Sequence, residues 1–234
     1  MLELINLKAG YDNLNVINKI SLNIKKKKIT LLIGPNGAGK STLIKTIFKL
    51  AKISQGKIIF NKKDITKIPT NKLSELGIVY MPQNMSFFSE LTVFENLIIA
   101  GRKSDIKEFD VCLLKVFTIF PELKKNTNKI STYLSGGQQQ MLAIAIAIMQ
   151  RPKLLILDEP TKGLSPKIVS GLLNKIVEIK KLGITILMIE QNVKKAIEFS
   201  DNVVILENGK IIWSGKKEQL NKKKLRHLYL GGNI

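Results

Sequence analysis

The segment Gly34-Pro35-Asn36-Gly37-Ala38-Gly39-Lys40-Ser41 follows the apolar run Ile29 to Ile33 and precedes a stretch of helical character, Ser41 to Leu50. It fits G-x-x-x-x-G-K-[ST] between a strand and a helix, the context in which that spacing has chemical meaning. The glycines let the backbone wrap phosphate with N–H groups, and the helix N-terminus adds a favourable dipole. Lys40 is placed to reach β- and γ-phosphates, the Ser41 hydroxyl to ligate Mg²⁺, and Thr42 adds a further hydroxyl.

A second element agrees with the first. Leu154 to Leu157 is an apolar run ending in Asp158-Glu159-Pro160. A core-seeking strand thus delivers two carboxylates to the C-terminal edge of a sheet, where ligands bind in open α/β folds. Asp158 suits a metal-holding role and Glu159 suits orienting and polarising an attacking water.

Around these elements the chain alternates strands and helices. Residues 2 to 24 alternate apolar and polar positions about the turn-like Tyr11-Asp12-Asn13, which predicts a short antiparallel sheet. Further strands are expected at Gly56 to Phe60, Gly77 to Met81, Lys153 to Leu157, Ile184 to Ile189 and Asn202 to Leu206, with helices at Pro166 to Leu182 and Asn192 to Phe199. Glu207-Asn208-Gly209-Lys210 is a hairpin signal leading into Ile211 to Trp213. From Leu91 to Met149 the pattern is helical, including Ile106 to Phe120, closed by Pro121, and a helix after Gly137.

The fold class expected is α/β: a P-loop NTPase core with a mainly parallel sheet, an N-terminal antiparallel β subdomain and an inserted α-helical subdomain. Residues 1–234 read as one domain, with 1–86 and 150–234 forming the core and about 87–149 the helical insertion. At 234 residues, 44% of them hydrophobic, the chain is long enough to bury its own core.

Composition excludes several classes. One cysteine, Cys112, and one histidine, His227, leave no internal disulfide and make a zinc cage improbable. Cys112 reads as a buried small hydrophobe rather than a nucleophile. The N-terminus, Met1 to Ile5, lacks the pattern of a secretory signal, so a cytoplasmic location is expected. The longest apolar run, Met141 to Met149, is far short of the ~20 residues needed to span a bilayer. The formal charge of +20 is nearly all lysine, with arginine only at 102, 151 and 226, and aromatics are 6% of the chain. Nucleic-acid recognition favours arginine forks and stacking rings, so a solvated lysine surface is the better reading and no nucleic-acid partner is expected. The runs Lys25 to Lys28 and Lys222 to Lys224 suit an anionic leaflet.

A third element narrows the class. Leu134-Ser135-Gly136-Gly137-Gln138 is a Ser-Gly-Gly turn ahead of a helix, able to present N–H groups and a hydroxyl to phosphate. A chain with its own phosphate loop does not obviously need a second cradle, and the economical explanation is that this one serves the nucleotide of a partner.

With Gly34 to Ser41 and Leu154 to Pro160, this segment makes the chain resemble the ATP-binding subunits of ABC transporters over essentially its whole length. The resemblance implies ATP and Mg²⁺ as cofactors and a head-to-tail pair of ATPase subunits. Each ATP would be held by the Lys40 loop of one copy and by Ser135 to Gln138 of the other. It implies transmembrane permease subunits, attachment at the cytoplasmic face of the membrane, and an indirect link to a substrate-binding protein. It casts Tyr11 as the aromatic that stacks on adenine, and Gln83 as the loop glutamine that senses Mg²⁺ and touches the permease.

Departures point to a branch. Ile189-Glu190-Gln191-Asn192 carries Gln191 where many relatives have a switch histidine; its amide can donate to γ-phosphate but cannot take up a proton. Ser165 stands where an aspartate is usual, and Met141 where arginine is frequent. Together with Gln139 to Ile144 and the ending Tyr229-Leu230-Gly231-Gly232, these features resemble the ATP-binding subunits of branched-chain amino-acid or urea importers. A lipopolysaccharide-type exporter subunit and a soluble ATPase acting on nucleic acid or ribosomes stand as the alternatives. A non-hydrolysing scaffold is disfavoured by Glu159.

Overall fold

Glycine and lysine at left-handed backbone positions decide where several elements begin and end. The computed structural model describes residues 1–12, 14–83, 87–102, 105–191 and 193–220. The expectations for Asn13, Asn192, Lys222 to Lys224, His227 and Tyr229 to Gly232 fall outside these residues. The chain divides into two compact units, residues 1–73 with 187–234 and residues 74–186.

The first unit begins with β1 (Leu2–Tyr11), β2 (Leu14–Ile24), β3 (Ile29–Ile33), α1 (Lys40–Ile47), β4 (Lys52–Phe60), β5 (Lys63–Asp64) and the single turn α2 (Thr70–Leu73). β1, β2, β4 and β5 form an antiparallel sheet in the order β2-β1-β4-β5. The hairpin expected across residues 2 to 24 is therefore present, with Leu2 opposite Ile24 and Tyr11 opposite Leu14.

β4 starts four residues before the expected Gly56. The sequence marks that glycine as a boundary, but it lies inside the strand at φ +94, where an added Cβ would stand 2.4 Å from the Ile5 carbonyl oxygen. Close backbone approach is one of the reasons a glycine sits within a strand. α1 likewise ends at Ile47 rather than Leu50, because Lys49 adopts φ +61 and turns the chain out of the helix.

The second unit holds β6 (Ile78–Met81), α3 (Val93–Gly101), α4 (Ile106–Ile119), α5 (Pro121–Lys124), a 3₁₀ turn at Ser131–Tyr133, α6 (Gly136–Met149), β7 (Leu154–Asp158) and α7 (Pro166–Lys181). Pro121 closes α4 as the sequence suggests and opens α5 at its first position, where its missing N–H costs nothing. α6 is buried around most of its circumference, from Gly137 through Met149. α7 instead buries one stripe, Val169, Leu172, Leu173, Ile176 and Ile179, at helical spacing. Cys112 is buried with its thiol against the Ile148 carbonyl, and burial pushes the thiol pKa up, consistent with the inert reading.

β8 (Thr185–Ile189) crosses from the second unit into the first, which then continues with α8 (Val193–Phe199), β9 (Asn202–Glu207) and β10 (Lys210–Lys216). These later strands belong to a second sheet, mixed and mostly parallel. β3 pairs in parallel with β9 within the first unit, and β6 with β7 within the second. β10 returns antiparallel beside β9 through the expected turn at Asn208-Gly209, both with positive φ. Every residue of β3, β7 and β8 is buried, as continuous apolar strands covered on both faces should be.

The Lys49 ammonium is enclosed without a hydrogen-bond partner. Burial brings its pKa down from 10.5 to about 8, opposed in part by Asp64. Between those values the unfolded chain keeps a proton that the folded chain has released, so this group makes stability rise with pH across that window. Lys49→Met is expected to raise the melting temperature at pH 7 by about 2–4 °C. It should also flatten the rise between pH 8 and 10.5; thermal unfolding across that range measures both.

Candidate functional site

The phosphate loop lies between β3 and α1 in the first unit. Three of its glycines, Gly34, Gly37 and Gly39, have positive φ, and at Gly37 and Gly39 the values of +80 and +100 fall where other residues are strained. An added Cβ at Gly34 would lie 2.1 Å from the Leu206 carbonyl oxygen, and one at Gly39 would lie 3.1 Å from Ile17. Pro35, Asn36 and Gly37 are exposed, while Ala38, Gly39 and Lys40 are buried beneath them.

The Lys40 ammonium donates to the carbonyls of Gly34 at 2.8 Å and Pro35 at 2.9 Å. Gly39 caps α1 with no side-chain bond, and the helix's own first turn carries no acid. Ser41 is exposed and Thr42 half-buried on this turn. Tyr11, at the end of β1, is 39% exposed, with the Lys45 ammonium 5.9 Å from its ring centre. Gln191 follows β8 as an exposed residue of the same unit.

The β9–β10 turn braces the loop. The Gly209 N–H donates to the Ala38 carbonyl at 2.9 Å, and the Gly209 carbonyl accepts from the Asn18 N–H at 2.8 Å. One glycine therefore ties the loop to the edge of the antiparallel sheet. No residue spacing announces this contact.

In the second unit, β7 carries Asp158 to its end, where the carboxylate is 7% exposed. Glu159 follows at φ +50, a conformation that costs a non-glycine residue about 1–2 kcal/mol and swings its side chain off the strand. Its Oε2 accepts from the Gln83 amide at 2.8 Å and lies 3.4 Å from the Lys162 ammonium. The Tyr80 hydroxyl donates to Asp158 Oδ2 at 2.9 Å, and burial, then the Asp158 charge, raise the phenol pKa well above its ordinary value. Gln83, Asp158 and Glu159 thus lie together at the end of β7. Tyr80 and Lys162 join them unannounced.

Ser135 is the N-cap of α6, and it forms a capping box with Gln138. The Gln138 N–H reaches the Ser135 hydroxyl oxygen at 3.4 Å, and the Ser135 N–H donates to Gln138 Oε1 at 3.1 Å. The S-x-x-Q spacing was a legible signal for this box. Ser135 and Gly136 are exposed, with open space at the Gly136 Cβ position. Gly137 is buried, and a Cβ there would meet Ile168 on α7 at 2.9 Å. The turn is therefore held from within its own unit while its outer face stays accessible.

A glycine-rich phosphate loop heading a helix, and a parallel strand ending in adjacent carboxylates, define a nucleoside-triphosphate hydrolase of the P-loop class. Residues 17–162 match the family model described as ABC transporter, and the chain belongs to that family, whose ATP-binding subunits bind and hydrolyse ATP. It is 40% identical over 233 residues, 99% of each chain, to the probable branched-chain amino acid transport ATP-binding protein LivF of Archaeoglobus fulgidus. It is 36% identical over 233 residues, 99% of this chain and 100% of the relative, to the high-affinity branched-chain amino acid transport ATP-binding protein BraG of Pseudomonas aeruginosa. Among solved structures, an ATP-binding cassette of an ABC transporter in its ADP conformation matches with a TM-score of 0.86, at 30% identity over 99% of both chains.

Gly209→Ala tests the brace. Its Cβ would stand 1.9 Å from the Val16 carbonyl oxygen at φ +71, so denaturant unfolding should show a loss of about 2 kcal/mol or more. Nucleotide affinity should fall in parallel, because relieving that clash moves the turn and draws the residue-209 N–H away from the Ala38 carbonyl.

Proposed function

We propose that this chain is the ATP-hydrolysing subunit of a membrane importer whose cargo is branched-chain amino acids. The observation carrying this reading is the similarity, along 99% of the chain, to two proteins named for branched-chain amino acid transport. Gln191 at the end of β8, in place of histidine, supports the same branch.

The residues fit ATP and Mg²⁺. Pro35, Asn36 and Gly37 are exposed over the buried Lys40, and Gly37 keeps open space where a side chain would intrude. Among the described residues there is no cluster of three or more His, Cys, Asp or Glu. One carboxylate with hydroxyl and amide oxygens is the donor set expected for Mg²⁺, which keeps water and phosphate as its other ligands. When bound, the metal neutralises charge on the β- and γ-phosphate oxygens.

In this reading Gly34 to Thr42 bind the triphosphate, with Lys40 on its β- and γ-groups, and Tyr11 stacks on adenine. Ser41, Asp158 and Gln83 hold Mg²⁺. Glu159 orients the attacking water and accepts its proton, and the Gln191 amide donates to γ-phosphate. Ser135 to Gln138 bind the nucleotide of a second ATPase subunit, identical or related, packed head to tail. The exposed Ser135-Gly136 turn at the start of a 14-residue helix supports that assignment.

Segments 1–86 and 150–234 then form the nucleotide-binding core, with 87–149 as its helical subdomain. Permease subunits hold the protein at the cytoplasmic face of the membrane, and a substrate-binding protein delivers the cargo. Among the described residues no helix is long and apolar enough to cross a membrane. ATP-driven closing and opening of the pair shifts the permease between states, because nucleotide binds one state better than the other.

Co-purification from membranes tests the cargo: a permease and a binding protein loaded with leucine, isoleucine or valine are expected. Partners dedicated to lipid export would overturn the reading. Glu159→Gln should retain ATP binding, lose turnover and accumulate as a nucleotide-bound dimer in size-exclusion chromatography. Adding Ser135→Arg should abolish the dimer without lowering the monomer's affinity for ATP.

A further inference from the structure

Asp158 is almost wholly enclosed, so the orientation of its carboxylate is set by protein donors rather than by bulk water. One of these is Tyr80. β6 and β7 run parallel with Tyr80 opposite Ile156. Side chains two residues apart on a strand share a face, so Tyr80, Ile156 and Asp158 stand on the same face. Asp158 lies one same-face step, about 6.6 Å, beyond the Tyr80–Ile156 pair.

A phenol ring is long enough to cover that advance, and a serine or threonine hydroxyl at position 80 is not. The hydroxyl arrives 2.9 Å from Oδ2 and donates to it. Because the bond is directed at one oxygen, turning the carboxylate about its Cβ–Cγ bond would break it. Ile78, Val79 and Met81 are buried on the same short strand, so the ring's base is fixed by the core.

We propose that Tyr80 is a positioning residue that sets the carboxylate of Asp158 in the orientation it needs to hold Mg²⁺. This rests on the assignment of Asp158 as the metal-holding carboxylate. Hydrogen-bond partners of metal ligands fix ligand geometry, and their loss lowers metal affinity by about 10–100-fold. Tyr80 acts through Asp158, so its removal separates metal-dependent from metal-independent nucleotide binding.

The test is equilibrium binding of a fluorescent ATP analogue to the full chain, first in EDTA and then along a Mg²⁺ titration, for wild type, Tyr80→Phe and Asp158→Asn. Tyr80→Phe is expected to bind the analogue as wild type does in EDTA, with a melting temperature lowered by only a few degrees through the lost bond to Asp158. It should need about 10-fold more free Mg²⁺ for the half-maximal effect. Tyr80→Met, which keeps apolar bulk without the hydroxyl, should behave alike and serves if the phenylalanine variant does not fold. An unchanged Mg²⁺ midpoint in the Tyr80 variants, with a shifted one in Asp158→Asn, overturns the positioning role alone. An unchanged midpoint in Asp158→Asn overturns the metal assignment and the inference with it. Weakened binding in EDTA would show Tyr80 to be a general packing residue and would also overturn it.

Discussion

Close approach of main chain to main chain at the phosphate loop is the constraint on which the nucleotide half of this protein depends. Gly34 passes so near the Leu206 carbonyl that no side chain fits, and Gly209 spans the gap between Ala38 and Asn18 with one N–H and one carbonyl. The Gly209 contacts use polar backbone groups that would otherwise need water, so bracing the loop and satisfying buried hydrogen bonds are the same event. The loop's shape is therefore inherited from β3, β9 and β2 rather than created by its own sequence. A cradle set in advance binds phosphate without first having to be ordered.

The carboxylate half works by a different economy. Asp158 is enclosed and accepts from the Tyr80 phenol, whereas Glu159, on a left-handed backbone and with its side chain 11% exposed, is held by the flexible-stemmed side chains of Gln83 and Lys162. Adjacent residues of the same charge type thus occupy unlike surroundings. A fixed carboxylate suits holding a cation, and one attached through exchangeable contacts suits changing its proton partner during turnover. Lys162 adds a positive charge beside Glu159 that a passage through the sequence would have assigned to an ordinary surface loop.

The sequence was most legible where one interaction determines one pattern. Apolar runs marked β3, β7 and β8, Pro121 marked the end of α4, and Asn208-Gly209 marked the hairpin, because each reflects a local rule. It was least legible where a local signal had a tertiary cause. Gly56 looked like a strand boundary but serves the approach of Ile5. Lys49 looked helical and instead breaks α1. Lys40, Asp158 and Glu159 could be read from spacing, and Gln83 only from the resemblance to a family. Tyr80 and Lys45 could not, since an aromatic on a strand and a lysine on a helix carry no mark of the group they touch.

The division of the chain has a consequence for its biosynthesis. The second unit, residues 74–186, is uninterrupted, whereas the first is assembled from both ends of the chain. On the ribosome, β3 emerges long before β9, the strand it pairs with, and the phosphate loop emerges before the turn that braces it. Units fold as they become complete during synthesis, so the interior unit can close while the outer one still waits for its last strands. The nucleotide cradle is braced only after Gly209 has been made, so a nascent chain stalled before that residue would have the loop sequence without the contact that holds it.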